Sequence, residues 1–308
     1  MNGRRRFLRM GLLGGGYCMS AGLLGAEESS KSDAGRLQNY RNAAEKIRPL
    51  FAKKKEPQFG DWLDQKKEPG QTFAQYLASS PNTRTAERTR LYLQPIGGFT
   101  KAEEEVLAIL REFMELHFGL KVIRLATIGT ERIPENARRY PAGAIAEQLH
   151  TPFLLDRLLI PNRPKDAVAV LAITASDLWP GDGWNFVFGV ASLKQRVGVW
   201  STSRFGDPEK ERTRFLRRVL QVAIHETGHM FGIKHCTAYE CCMNGSNSLE
   251  ESDRASMVFC CECDPKLWWS CNLEPIARAR ALAEFAKRNS LEREAAEWAG
   301  IATALGRS

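Results

Sequence analysis

The sequence predicts a mixed α/β (α+β) domain: a twisted, mostly parallel sheet, one long helix after it, and a smaller irregular C-terminal part. Three observations carry this. Short β-type runs alternate with amphipathic helical runs between residues 91 and 203, an apolar-periodic helix runs into Gly232, and seven of the eight cysteines are packed between Cys236 and Cys271. In order, Leu91–Ile96 reads as a strand closed by Gly97-Gly98. Thr100 and Glu103 form a capping box, after which Val106, Leu107, Leu110, Phe113, Met114 and His117 recur on one helical face until Gly119. Lys121–Ala126 and Ala167–Ile173 read as strands, the second a continuous apolar run of the kind buried on both faces. Asn185–Ala191 and Val197–Ser203 are two further β segments. Asp207 suits an N-cap and Pro208 a first helical position, so one helix is expected from there to Gly232. Residues 276 to 304 are Ala-rich and amphipathic, one or two packed helices without evident chemistry. His117 and His150 stand alone in apolar surroundings and read as core or surface residues.

The 308 residues, 43% hydrophobic and 26% charged, exclude a disordered chain or a rod. Of the net charge of +8, four units come from Arg4, Arg5, Arg6 and Arg9; setting these aside leaves +4, which gives no reason to expect a polyanion partner. Arg4-Arg5-Arg6-Phe7-Leu8-Arg9 followed by the Gly-softened apolar stretch Met10–Gly25 reads as a twin-arginine export signal, with an ordinary secretory signal or a short anchor as the alternatives. The expectation is an exported bacterial protein, periplasmic or extracellular, with no membrane span once the leader is removed. The organisation is then a leader (1–26), a Lys-rich, Pro-interrupted extension wrapped on the domain (27–88), an upper subdomain with the long helix (89–234), a C-terminal subdomain (235–274) and a helical tail (275–308).

Three of the five histidines fall within eleven residues: His225-Glu226-Thr227-Gly228-His229-Met230-Phe231-Gly232-Ile233-Lys234-His235. On a helix, His225 and His229 project from one face and reach one ion, while Gly232 permits a left-handed stop that swings His235 back as third ligand. Three ligands leave a position open, the mark of a catalytic zinc, and Glu226 stands beside it as a general base that need not ligate. With the glycine and third histidine this is the extended metzincin motif. A methionine packs beneath such a metal; Met243 and Met257 both qualify by position.

An odd number of cysteines after the leader cannot all pair within one chain. Cys236-x4-Cys241 and Cys260-x2-Cys263 instead supply two pairs with the spacing of a closed structural zinc site. Cys242 and Cys261 adjoin these ligands, so either pair could slip by one. They are expected to form a disulfide after export, with Cys271 free.

Taken together, His225 to His235, the fused Cys236, Cys241-Cys242-Met243 and the later CxxC resemble the archaemetzincins. Pro180 to Gly189, Ala191-Ser192-Leu193 and Arg196-Val197-Gly198-Val199 resemble the eukaryotic-type members in particular, and Gly245 to Arg254, Gly70-Gln71-Thr72-Phe73 and Leu91 to Gly97 extend the likeness to roughly residues 55 to 270. The resemblance implies a zincin/metzincin fold with two zinc ions. His225, His229 and His235 would hold the catalytic ion, Glu226 would be the base, Met243 would form the Met-turn, and Cys236, Cys241, Cys260 and Cys263 would hold the structural ion. Cys261 stands where relatives tend to have proline, and the export signal departs from relatives that look intracellular.

The implied function is zinc-dependent hydrolysis of peptide bonds through a metal-bound water activated by Glu226, leaning to aminopeptidase action on small peptides. Metzincin-type endopeptidase action is the alternative, with Asn185–Ala191 as the edge strand to which a peptide substrate adds. A silent zinc-stapled binding protein would have no use for Glu226, and no basic helix accompanies the cysteines to favour nucleic acid. Oligomeric state is left open.

Overall fold

The computed structural model describes residues 20–307, with side chains from Asp33 onward. The arginines of the leader and Cys18 lie outside the described residues. The chain divides into two compact units at Tyr40/Arg41. In the first, the described part is the start of helix α1 (Ser20–Ile47), which crosses the predicted boundary at residue 26 without a break.

The second unit holds everything else. Two short helices, α2 (Trp62–Gln65) and α3 (Phe73–Ala78), precede the sheet, and α3 starts on a capping box between Thr72 and Gln75. Then come β1 (Arg90–Ile96), α4 (Lys101–Phe118) and β2 (Lys121–Arg124). They are followed by β3 (Arg138–Arg139), β4 (Gln148–His150) and α5 (Thr151–Phe153), which continues as a π-helical turn over Leu154–Leu159. The strands β5 (Ala167–Thr174), β6 (Asp177–Trp179), β7 (Gly189–Ala191) and β8 (Val197–Ser201) lead into α6 (Arg212–Met230). Four helices end the chain: α7 (Leu249–Arg254), α8 (Asp264–Cys271), α9 (Pro275–Arg288) and α10 (Glu292–Gly306). No helix among the described residues is long and apolar enough to cross a membrane.

The main sheet has the order β2-β1-β5-β8-β7, parallel except for β7, which pairs antiparallel with β8 at the edge. All eight residues of β5 are buried, because successive side chains point to opposite faces and both faces are covered. Val170 and Ala172 pack with Leu149, Leu154 and Leu158, and α4 and α6 lie against the sheet and each other. The capping box at Thr100 and Glu103 starts α4, and Gly119 (φ 59°) ends it in a left-handed turn.

Three expectations are corrected here. The long helix begins at Arg212, not Pro208: Glu211 is non-helical, and the Asp207 carboxylate instead accepts from the Glu209 and Lys210 amides (2.9 and 3.3 Å), capping a separate turn. The edge strand is three residues, not seven, because the Asn185 carbonyl is taken by the Gln148 and Arg139 side chains. Cys242 and Cys261 are not bonded to each other. Cys242 Sγ faces the Gln221 carbonyl on α6 (3.5 Å), whereas Cys261 faces Tyr239 and Arg48.

Candidate metal centre

Helix α6 supplies two of the three clustered histidines. His225 and His229 lie one turn apart with perpendicular rings and Nε2 atoms 3.0 Å from each other. The helix stops at Met230, and Gly232 takes φ 84°, a conformation open to glycine at little cost. This returns the chain so that the His235 ring lies 5.4 and 4.9 Å from those of His225 and His229, with one nitrogen from each residue inside a 4.8 Å cluster.

Protonation follows from the partners. Nδ1 of His225 donates to the Cys242 carbonyl (2.8 Å) and Nδ1 of His229 to the Ile233 carbonyl (2.7 Å). A carbonyl only accepts, so both protons are on Nδ1 and two Nε2 lone pairs face each other. That arrangement is repulsive unless a cation lies between. Burial, with His235 nearby, pushes the His225 pKa down to about 3, and burial keeps His229 well below its usual range as well, so neither ring takes a second proton at neutral pH. The donor set fits zinc: a tetrahedral ion with Zn–N near 2.1 Å separates its nitrogens by about 3.4 Å.

Glu226 lines the same cleft and is 7% exposed; burial raises its carboxyl to about 8. Its position depends on Gly189 of β7, where a Cβ would come within 2.6 Å of Glu226 Oε1. Below the helix, Gly228 plays a similar part. A Cβ there would lie 2.7 Å from Sδ of Met243, so the fully buried thioether packs directly under the His225–His229 turn. The cleft, about 700 Å³, is walled by Trp62, Trp184, Phe186, Phe188 and Val190, with Gln65, Asn185, Asn244 and Asn247 as neutral polar groups.

The second cluster brings together Cys236, Cys241, Cys260 and Cys263, all buried, with their sulfurs inside 4.8 Å. Cys236 and Cys260 Sγ are 3.6 Å apart, against about 3.8 Å across a tetrahedral zinc with Zn–S near 2.3 Å. Thiol hydrogen bonds from Cys241, Cys260 and Cys263 pull the Cys236 pKa far down, and burial drives those of Cys241 and Cys260 up. Four converging sulfurs at this spacing are a soft cation's natural donors. His150 lies tilted against Trp179 (4.5 Å between ring centres) and His117 lies in the core, and neither belongs to these clusters.

Sequence reasoning missed Glu68, Trp62 and Gly189. Glu68 accepts from Nδ1 of His235 at 2.9 Å, and Trp62 sets its ring edge-on to His235 at 5.1 Å. Both come from the extension, distant in sequence and without a motif.

Comparison with known proteins gives consistent results. A sequence model of Peptidase family M54 matches residues 163–268. Archaemetzincin-2 of Rattus norvegicus is 30% identical over 295 residues, covering 83% of this chain and 80% of that protein. The Homo sapiens Archaemetzincin-2 is 30% identical over 271 residues, covering 73% and 71%. An Archaemetzincin of Pyrococcus furiosus is 32% identical over 185 residues, which is 58% of this chain and 93% of that one. Among solved structures, the archaemetzincin of Methanopyrus kandleri matches with a TM-score of 0.49 at 30% identity, over 61% of this chain and 98% of that one. This chain belongs to the archaemetzincins, a family of zinc metallopeptidases.

Proposed function

We propose that His225, His229 and His235 hold the catalytic zinc, that Cys236, Cys241, Cys260 and Cys263 hold a second, structural zinc, and that Glu226 is the general base. The observation that carries this reading is the opposed pair of Nε2 lone pairs, 3.0 Å apart, beside a buried carboxyl in an open cleft. When bound, zinc held by the three imidazoles would supply a Lewis acid to polarise the scissile carbonyl. Glu226 takes the proton of the attacking water and passes it to the leaving amine, a shuttle suited to a group with a raised pKa. The three-residue edge of β7 beside Glu226 offers main-chain groups to an extended peptide, and the aromatic walls receive apolar side chains.

The family resemblance leans to aminopeptidase action on small peptides. A specific observation favours the endopeptidase reading as well: among the described residues lining the cleft, Glu226 is the only carboxylate, and no second one there awaits a free amine. Peptides with free and acetylated N-termini decide between them. The catalytic assignment is tested by Glu226→Gln, which is expected to keep its zinc and fold yet lose roughly 10²–10⁴-fold or more of the hydrolysis rate. A folded, zinc-loaded Glu226→Gln protein with undiminished activity sinks the assignment.

A further inference from the structure

The three clustered imidazoles are not held alike. His225 and His229 donate from Nδ1 to main-chain carbonyls of the loops that follow them, Cys242 and Ile233. His235 donates to a side chain 167 residues away, with Nδ1 at 2.9 Å from Oε2 and 3.2 Å from Oε1 of Glu68. We propose that Glu68 is a positioning residue for the three-histidine zinc site: its carboxylate fixes the tautomer and ring orientation of His235 and makes the nitrogen facing His225 and His229 a stronger donor. The proposal rests on the reading that these histidines hold zinc.

The surrounding contacts show that Glu68 is placed, not incidentally near. Just after it, Gly70 (φ 68°) has its open side filled by the Thr237 hydroxyl, two residues past His235. The Gln71 amide spans the turn that carries His235, donating to the Gly232 carbonyl (3.3 Å) and accepting from the Lys234 amide (3.2 Å). Upstream, the Lys54 amide donates to the Ala238 carbonyl (3.1 Å) and the Glu240 amide to the Ala52 carbonyl (3.0 Å). The extension is thus tied down on both sides of Glu68, and His235 is the ligand with no helix to hold it. A ligand on an irregular loop gains most from an external carboxylate, because its ring orientation is otherwise set by a single backbone position.

A bond to a carboxylate does two things that a carbonyl does more weakly. It withholds Nδ1 from the metal, and its full negative charge raises the electron density at Nε2. Losing such a partner typically costs 10–100-fold in metal affinity. The 41–88 segment is then part of the metal site as well as a cover for the domain.

The test uses full-length, zinc-loaded protein. Zinc dissociation constants for the weaker site are measured against chelators of graded strength in wild type, Glu68→Gln, Glu68→Ala and His235→Ala, with zinc content and circular dichroism followed throughout. Glu68→Ala is expected to bind about 10–100-fold more weakly with unchanged secondary structure. Glu68→Gln should fall in between, since its amide oxygen still accepts from Nδ1 but carries no charge; a role confined to anchoring the extension would not produce that graded order. Wild-type affinity in Glu68→Ala, or in Glu68→Gln if the alanine variant does not fold, overturns the proposal. His235→Ala separates the two readings. If it strips that zinc while Glu68→Ala keeps it, only the role of Glu68 fails; if His235→Ala leaves zinc binding unchanged, the three-histidine site itself fails.

Discussion

At residue 189 a hydrogen atom stands where any other residue has a carbon, and this decides where Glu226 sits. A Cβ there would lie 2.6, 2.8 and 3.0 Å from Oε1, Cδ and Cγ of Glu226, too close for three atoms at once. The carboxylate could move only away from β7, and so away from a peptide bond laid along that edge. Gly189→Ala is therefore expected to lower kcat by about 100-fold, the scale of a misplacement near 1 Å. Zinc content and thermal stability should stay close to wild type, because the clash is with the movable end of one side chain. Stopped-assay kinetics beside elemental analysis check this, and an alanine variant as active as wild type would show that Glu226 tolerates the shift. The role proposed for Glu226 comes from the sequence itself, because the residue lies within an eleven-residue motif. That of Gly189 is not, since its partner lies on another element.

Among the elements, α4 carries a cost that its sequence does not advertise. The pattern that places Val106, Leu110, Phe113 and Met114 in the core also buries His117 completely, amid Phe113, Phe118 and Phe259. Neither ring nitrogen has a partner among the described residues, and burial, then the nearby Arg278, hold its pKa well below 6.5. The sign follows. Above pH 6.5 both folded and unfolded chains carry a neutral ring and nothing is lost; as pH falls below 6.5 the unfolded chain takes a proton that the folded one refuses, so stability drops. Replacing His117 by leucine, similar in volume and without polar atoms, is expected to stabilise the fold by about 1–2 kcal/mol at pH 7.5. The gain should widen by roughly 1 kcal/mol at pH 5.5. Denaturant titrations at both values test it, and a variant less stable at either pH contradicts it. The sequence leaves this histidine as a core or surface residue, of which the core alternative holds, and rightly places α4, β1, β5 and β8, since each is long or strongly patterned. It misses β3, β4 and β6, two or three residues each and so too short to carry an alternating pattern of their own, as well as α7 and α8. It also misplaces the start of α6, because Asp207-Pro208 is a sound cap for whatever turn follows, and here that turn ends at Glu211. Glu68 is invisible as the short strands are: no local pattern marks it.

On the scale of the whole molecule the three-histidine and four-cysteine clusters, each able to hold a metal ion, share one loop, and the sharing is lopsided. Cys236 follows His235 directly. Its amide donates to the Met243 carbonyl (2.7 Å), and the Asn244 side chain donates to the Cys236 and Tyr239 carbonyls (2.6 and 2.9 Å). The carbonyl that orients His225 belongs to Cys242, between Cys241 and Met243. The four-cysteine centre therefore shapes the segment that presents His235, orients His225 and packs under Gly228, whereas His225 and His229 sit on a helix that needs no metal to form. Removing a histidine ligand and removing a cysteine ligand should have unequal consequences. His225→Ala is expected to lose one zinc and hydrolysis while keeping the other zinc and a near-wild-type melting temperature. Cys236→Ser should lose the structural zinc, lower the melting temperature sharply and also weaken the histidine site by at least about tenfold, as loss of supporting contacts does at metal sites. Zinc stoichiometry, chelator competition and thermal melts on the two variants measure this asymmetry. A Cys236→Ser protein with wild-type zinc affinity at the histidines and full peptide hydrolysis would show that the two centres are independent, and that the loop holds its shape without the thiolates.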